Sequence, residues 1–188
     1  MKKTTKTILI LAIAITASAF TNPIKEKIDV KESTINWLGK KVTGKHNGTI
    51  NLQEGYLEMD GDNIVGGKFV IDMTSITVLD LQGGMKGKLE GHLKSDDFFG
   101  VETHPTATLD ITDATKNGNI YNVNGNITIK GITQPISFDL AKDGNTATST
   151  VIIDRSKFNV RYGSGSFFDN LGDKTIYDDF QLDVTLKF

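Results

Sequence analysis

Three histidines, two arginines and a scatter of carboxylates are the residues of this 188-residue chain that could do chemistry. His92 and His104 stand twelve positions apart and His46 is remote from both. No H-x-x-H or H-x3-H spacing therefore puts two imidazoles on one ion, and no metal site is expected. Ser95 lies beside His92 and Asp96. A working triad sets its histidine between nucleophile and acid, usually from separate elements, so these neighbours read better as a helix cap and turn. No catalytic residue and no cofactor follow from these patterns. The chain has no cysteine, which removes disulfides, thiolate metal sites and a cysteine nucleophile.

Binding is the chemistry left to consider. Arg155 and Arg161 are the only arginines. A guanidinium fork beside aromatic-rich loops suits an anionic or polar head group; the alternative is a pair of structural arginines tied to Asp154 or Asp178. Trp37 and His46 fall in one long hairpin and read equally as lumen lining or as a core tryptophan and a satisfied polar residue. Met85, Phe98, Phe99, Phe158, Phe167 and Phe168 are bulky apolar residues in segments without strand character. They either plug one end of the fold or line the entrance to a pocket.

The elements that must position these residues are mostly strands. Phe180, Leu182, Val184, Leu186 and Phe188 alternate with Gln181, Asp183, Thr185 and Lys187, the pattern of a strand with one buried and one wet face. Similar alternation predicts strands over 26–31, 34–42, 45–58, 63–73, 106–115, 120–130, 134–141 with its return 146–153, and 178–188. Asp60-Gly61, Asn117-Gly118 and Asp143-Gly144 are hairpin-turn dipeptides. The buried parity shifts near Glu54-Gly55, which predicts a β-bulge. Met85, Leu89 and Leu93 recur at helical spacing, predicting a short amphipathic helix over Gly84–Lys94 that should need tertiary support because of its glycines. About eight antiparallel strands can hide their edges by closing into a barrel, with room inside for side chains or one small ligand. A sandwich would bury the same parities.

Composition bounds the partners. Net charge is −2, with 21 basic and 23 acidic side chains, so nothing supplies the positive field that nucleic acid requires. Lys2, Lys3 and Lys6 precede an apolar stretch ending at Ala17-Ser18-Ala19. This reads as a secretory signal peptide over residues 1–19, leaving a domain over 20–188. The apolar stretch 8–20 is shorter than the roughly 20 residues of a membrane span. Removing residues 1–19 takes away three lysines and no acids, leaving a net charge of −5. No further integral membrane segment is expected, transient contact with a membrane surface is compatible with the pattern, and oligomeric state is left open.

Four blocks, in order, carry a family resemblance. WLGKKVTGKHNG over Trp37–Gly48, followed by GKFVIDMTSI over Gly67–Ile76, resembles the opening of the YceI-like proteins. LEGHLKSDDFF over Leu89–Phe99, with HPTA over His104–Ala107, is similar to their most recognisable block. VNGNITIKGIT over Val123–Thr133 resembles the G-x-L-T-I-x-G strand pair, and DRSKFNV over Asp154–Val160 the late D-R-x-x-F turn. The stretch Gly163–Leu171 departs as a longer, glycine-rich version. The resemblance implies an all-β, closed eight-stranded antiparallel lipocalin-like barrel, with the short helix and loops covering one side. It also implies a bacterial periplasmic protein that holds a long isoprenoid or isoprenoid quinone in its lumen without catalysis. The lumen and mouth are then expected from Trp37, His46, Met85, Leu89, Leu93, Phe98, Phe99, Phe158, Phe167 and Phe168, with Arg155 and Arg161 as head-group candidates. A solid-cored structural or protein-interaction module of the cell envelope is the alternative.

Overall fold

Alternation in the sequence becomes alternation in burial. Strand β6, Ile120–Ile129, turns Tyr121, Val123, Gly125, Ile127 and Ile129 inward while Asn122, Asn124 and Asn126 face water. The same rule runs through β2 (Thr34–Lys41), β3 (Gly44–Asp60), β4 (Asn63–Val78), β5 (Thr106–Asn117), β7 (Ile132–Asp143), β8 (Thr146–Asp154) and β9 (Ile176–Lys187). The computed structural model describes residues 22–29 and 31–188. The expected signal peptide lies outside them.

Hydrogen-bonded neighbours run β3-β2-β9-β8-β7-β6-β5-β4, and β4 returns to β3, so eight antiparallel strands close on themselves. Closure gives β9 a partner on each side and removes the free edge that its alternating apolar residues would expose. Short β1 (Ile24–Lys27) pairs with the far half of β3, opposite Tyr56–Met59, and so extends the track that β2 occupies along the near half. The barrel is the architecture formed, not the sandwich.

Turns follow their dipeptides: Gly61, Gly118 and Gly144 take φ of 57°, 67° and 54°, the left-handed values that glycine tolerates. The expected parity change in β3 is a register shift between Leu52 and Glu54. Several boundaries differ from the sequence expectation. β4 continues to Val78 because Thr77 and Val78 pair with Thr49 and Gly48. β1 ends at Lys27, where the Asp29 carboxylate accepts the N–H groups of Lys31 and Glu32 and turns the chain. The final strand begins earlier, at Ile176, through pairing with Lys41.

Helix α1, Gly83–Lys94, connects β4 to the 95–105 loop and has no buried residue. Half-buried Leu93 packs on the core, and polar contacts add to it: the Glu90 carboxylate accepts the Val78 N–H at 2.9 Å and pairs with Lys86. Ser95 donates its hydroxyl to the His92 carbonyl at 2.8 Å, the cap-and-turn arrangement rather than a triad. The core proper fills with Leu57, Ile64, Tyr121, Val123 and Val160, each almost wholly buried.

Because β9 is paired on both sides, amide hydrogen exchange across Leu182–Leu186 should be as slow as in β6, near the global unfolding limit. Fast exchange confined to β9 would show an open sheet.

Candidate functional site

The barrel interior is incompletely filled. A cavity of about 130 Å³ and a second of about 80 Å³ share the wall residues Ile35, Ile71, Ile127, Ile153 and Leu182. They adjoin within the barrel interior. Interiors are normally close-packed with few voids larger than a water molecule, so space of this size along a barrel axis is a feature to explain. The lining runs along β9 from Tyr177 to Leu186, roughly 30 Å at about 3.3 Å per residue. Its walls are isoleucine, leucine, valine and phenylalanine, with polarity at the ends. Ser149 is the polar side chain of the smaller cavity, which no exposed residue lines. Lys40 and Tyr177 line the larger one and are also exposed, so the lumen reaches the surface between them.

A bulge makes that mouth. Gly39 pairs with Phe180 and Lys41 with Ile176, so Lys40 alone faces Tyr177–Asp179 and the β2–β9 ladder parts. Arg155 holds the parted strand. Its guanidinium, 2% exposed, donates to the carbonyls of Tyr177 (3.2 Å), Ile176 (3.1 Å), Val160 (2.8 Å) and Tyr162 (3.0 Å). Asp178 lies 3.4 Å away as a counter-ion without hydrogen-bond geometry, its other oxygen accepting from Ser166 at 2.6 Å. Burial pushes the Arg155 pKa below its ordinary value, opposed by the charges of Asp178 and Asp154; a guanidinium nevertheless stays protonated. Four of its five N–H donors are committed to the fold, although its side chain also lines the larger cavity. Arg155→Gln should strip four carbonyls of their donor and cost about 3–5 kcal/mol in chemical denaturation. Arg155→Lys, lacking the fork, should recover only part. Wild-type stability in both variants would refute the account of the bulge.

The other expected residues divide by position. Trp37, Leu93, Phe98 and Phe99 line the larger cavity. Phe98 and Phe99 meet edge to face at 5.1 Å, and Phe99 meets Phe180 at 6.1 Å, making an aromatic wall under the 95–99 turn. Trp37 lies against Gly48, where a Cβ would fall 2.6 Å from the indole. Of the helix stripe, Leu93 alone reaches the cavity. Leu89 is half-buried outside the lining, and Met85 is 63% exposed. Glu90 anchors α1 beside the end of β4, so its last turn covers the barrel and its first does not. Phe158 is buried in the core off the cavity wall. Phe167 is half-buried under the Arg161 guanidinium, 4.7 Å from its ring, and Phe168 is 48% exposed.

His46 is half-buried, on the parity of the inward Gly48 and Ile50, but is not part of the cavity lining. Its Nδ1 contacts Asp80 at 2.8 Å and ties the β2–β3 hairpin to the chain leaving β4. Desolvation raises the Asp80 pKa, but hydrogen bonds from His46 and the Asn47 N–H outweigh it and hold the carboxyl below its usual range. Among the described residues no group of three or more histidines and carboxylates is placed to hold a metal ion, and no helix is long and apolar enough to cross a membrane. The wall residues from the strands were legible as inward parity, though not as lining. Lys40 and Tyr177 carried no signal, because the bulge that exposes them is set by Arg155 from another segment.

Comparison with known proteins agrees with this geometry. The family described as YceI-like domain matches residues 27–188. A UPF0312 protein of Pectobacterium atrosepticum is 42% identical over 48 residues, 26% of this chain and 25% of the relative. A UPF0312 protein of Pseudomonas aeruginosa is 41% identical over 46 residues, 24% of each. The chain thus matches a quarter of the length of these curated relatives. Burkholderia cenocepacia BcnA superposes with a TM-score of 0.67 at 26% identity, over 85% of this chain and 98% of that one. A polyisoprenoid binding domain from Saccharophagus degradans shares the fold at a TM-score of 0.57 and 14% identity, over 85% and 95% of the two chains. With the matched family spanning 27–188 and eight strands closed around an apolar lumen, the chain belongs to the YceI-like domain family.

Proposed function

We propose that this protein is a non-enzymatic carrier of a long apolar molecule held in the barrel lumen, a polyisoprenoid or isoprenoid quinone, acting in the bacterial periplasm. The observation that carries the reading is the pair of adjoining apolar cavities, which share the walls Ile35, Ile71, Ile127, Ile153 and Leu182. A core meant only for stability would fill that space, since voids cost dispersion contacts. An elongated hydrocarbon would regain them, at roughly 0.8 kcal/mol for each CH₂ withdrawn from water. Polar ligands find few partners along the walls.

The polarity of the ends gives the ligand a direction. Its tail would lie toward Val184 and Leu186, and any head group toward Lys40 and Tyr177. Trp37, Leu93, Phe98 and Phe99 are the expected residues that would touch it. Arg155 would serve the ligand by shaping the mouth, not by binding it. The polyisoprenoid class is supported by the resemblance in fold to the Saccharophagus degradans domain, which is described as binding polyisoprenoid. The lysine-led apolar segment at residues 2–19 supports export.

Ile71 sits where the two cavities meet and is only half-buried, so Ile71→Trp should occupy the passage. Mass spectrometry of an organic extract, after purification without detergent, should find an isoprenoid in the wild type. The variant should hold at least about fivefold less, with cooperative unfolding retained because the added volume enters empty space. A wild type free of lipid, with an Ile71→Trp variant destabilised by about 1–3 kcal/mol from overpacking, would leave a filled envelope module in place of the carrier.

A further inference from the structure

We propose that the mouth end of the barrel docks on the surface of an anionic phospholipid bilayer, through the tip of the β2–β3 hairpin and the start of α1. Charge and exposure mark out this face. Residues 40–46 and 79–88 together carry five lysines, Lys40, Lys41, Lys45, Lys86 and Lys88, against a single acid, Asp80. Asp80 is already engaged by His46 at 2.8 Å, and that contact, with the Leu79 N–H to Asn47 carbonyl bond of 2.9 Å, joins the two segments into one face. Glu90, the next acid along, accepts the Val78 N–H and pairs with Lys86, so Lys40, Lys41, Lys45 and Lys88 are the charges this face presents. The adjoining loop carries Arg161 and Lys174 against Asp169 and Asp173, and so cancels none of the positive charge.

Three apolar side chains stand out of this basic face: Met85 (63% exposed), Leu79 (57%) and Val42 (48%). Single exposed apolar residues are ordinary. Three of them on two joined turns, ringed by lysines, are the arrangement that an interfacial contact requires, apolar groups entering the acyl boundary and ammonium groups meeting phosphate. The opposite end has no comparable basic cluster: Asp60 and Asp62 flank its β3–β4 turn, and Glu58 beside them is paired with Lys25. On a chain of net negative charge this local basic face is the part that would meet an anionic layer. Lys40 belongs both to this face and to the rim of the lumen, so docking would set the opening against the bilayer. That consequence for ligand exchange rests on the carrier reading; the docking surface does not.

The test is co-sedimentation of the purified protein with vesicles of phosphatidylcholine alone and of phosphatidylcholine with phosphatidylglycerol, at low and raised salt. Expected is binding to the anionic vesicles that weakens with salt, and little to the neutral ones. The triple variant Lys41→Glu, Lys45→Glu, Lys88→Glu should bind at least about a hundredfold more weakly, since loss of three lysine charges near the surface implies that much before the reversal is counted. Met85→Asp should weaken binding without changing the charge of any lysine. Lys27→Glu with Lys31→Glu, at the other end, should leave it unchanged. Thermal unfolding of each variant at the wild-type temperature separates docking from folding. Absence of wild-type binding to anionic vesicles, or undiminished binding of the triple variant, would overturn the proposal. Lipid extracted from the same preparations keeps the two readings apart: wild type that binds vesicles yet carries no isoprenoid retains the docking face and loses the carrier. Wild type that carries isoprenoid yet ignores anionic vesicles does the reverse.

Discussion

One buried cation organises the mouth of this barrel. Arg155 is sequestered from water, and the cost of that burial is offset only because four carbonyls and a nearby carboxylate surround it. Two of those carbonyls, on Ile176 and Tyr177, belong to the start of β9, and two, on Val160 and Tyr162, to the loop after β8. The guanidinium therefore fixes where β9 leaves its regular register, and the departure from register opposite Lys40 is where the lumen meets the surface. Ring stacking extends the arrangement. Phe98 lies 5.3 Å from the guanidinium, and His92 meets both Phe98 and Tyr162, which joins α1 and the 95–99 turn to the same cluster. Lid, loop and bulge thus share one anchor.

Much of the fold was legible because period-two alternation is a local signal. The inward sets of β6 and β9 and the three glycine turns could be read residue by residue. The lumen was legible only in part. Leu93, Phe98 and Phe99 lie next to one another in sequence and reach the cavity together, but Met85, two turns earlier on the same stripe, is exposed. Helical spacing gives the face of a helix; it does not say how far along its length that face stays in contact. Glu90 decides this by bonding to the Val78 N–H, a contact twelve residues distant that no periodicity encodes. His46 is similar: its partner Asp80 comes from another strand end, and the imidazole is held there rather than on the cavity wall. Arg155 could be read two ways, and the bonds it makes are those of a structural arginine.

Empty apolar space sets this interior apart from an ordinary core. The inward residues of the strands are branched and mid-sized, and facing walls leave room between them. Filling that room with a hydrocarbon adds contacts without asking for a single hydrogen bond, which suits a ligand that is long and featureless. Specificity would then arise from length and from the few polar groups at the mouth. The same end carries the basic, apolar-tipped face, so the molecule's charge polarity and its opening are aligned.

Trp37 offers the most direct test, being the chain's sole tryptophan and part of the cavity wall. The delipidated protein would be titrated with a long-chain hydrocarbon brominated along its length, which quenches indole emission on contact. The account predicts strong quenching that saturates at one chain per barrel and is reversed by an unbrominated isoprenoid. Emission that stays constant, or quenching that rises without saturation and is not reversed, would contradict an open lumen.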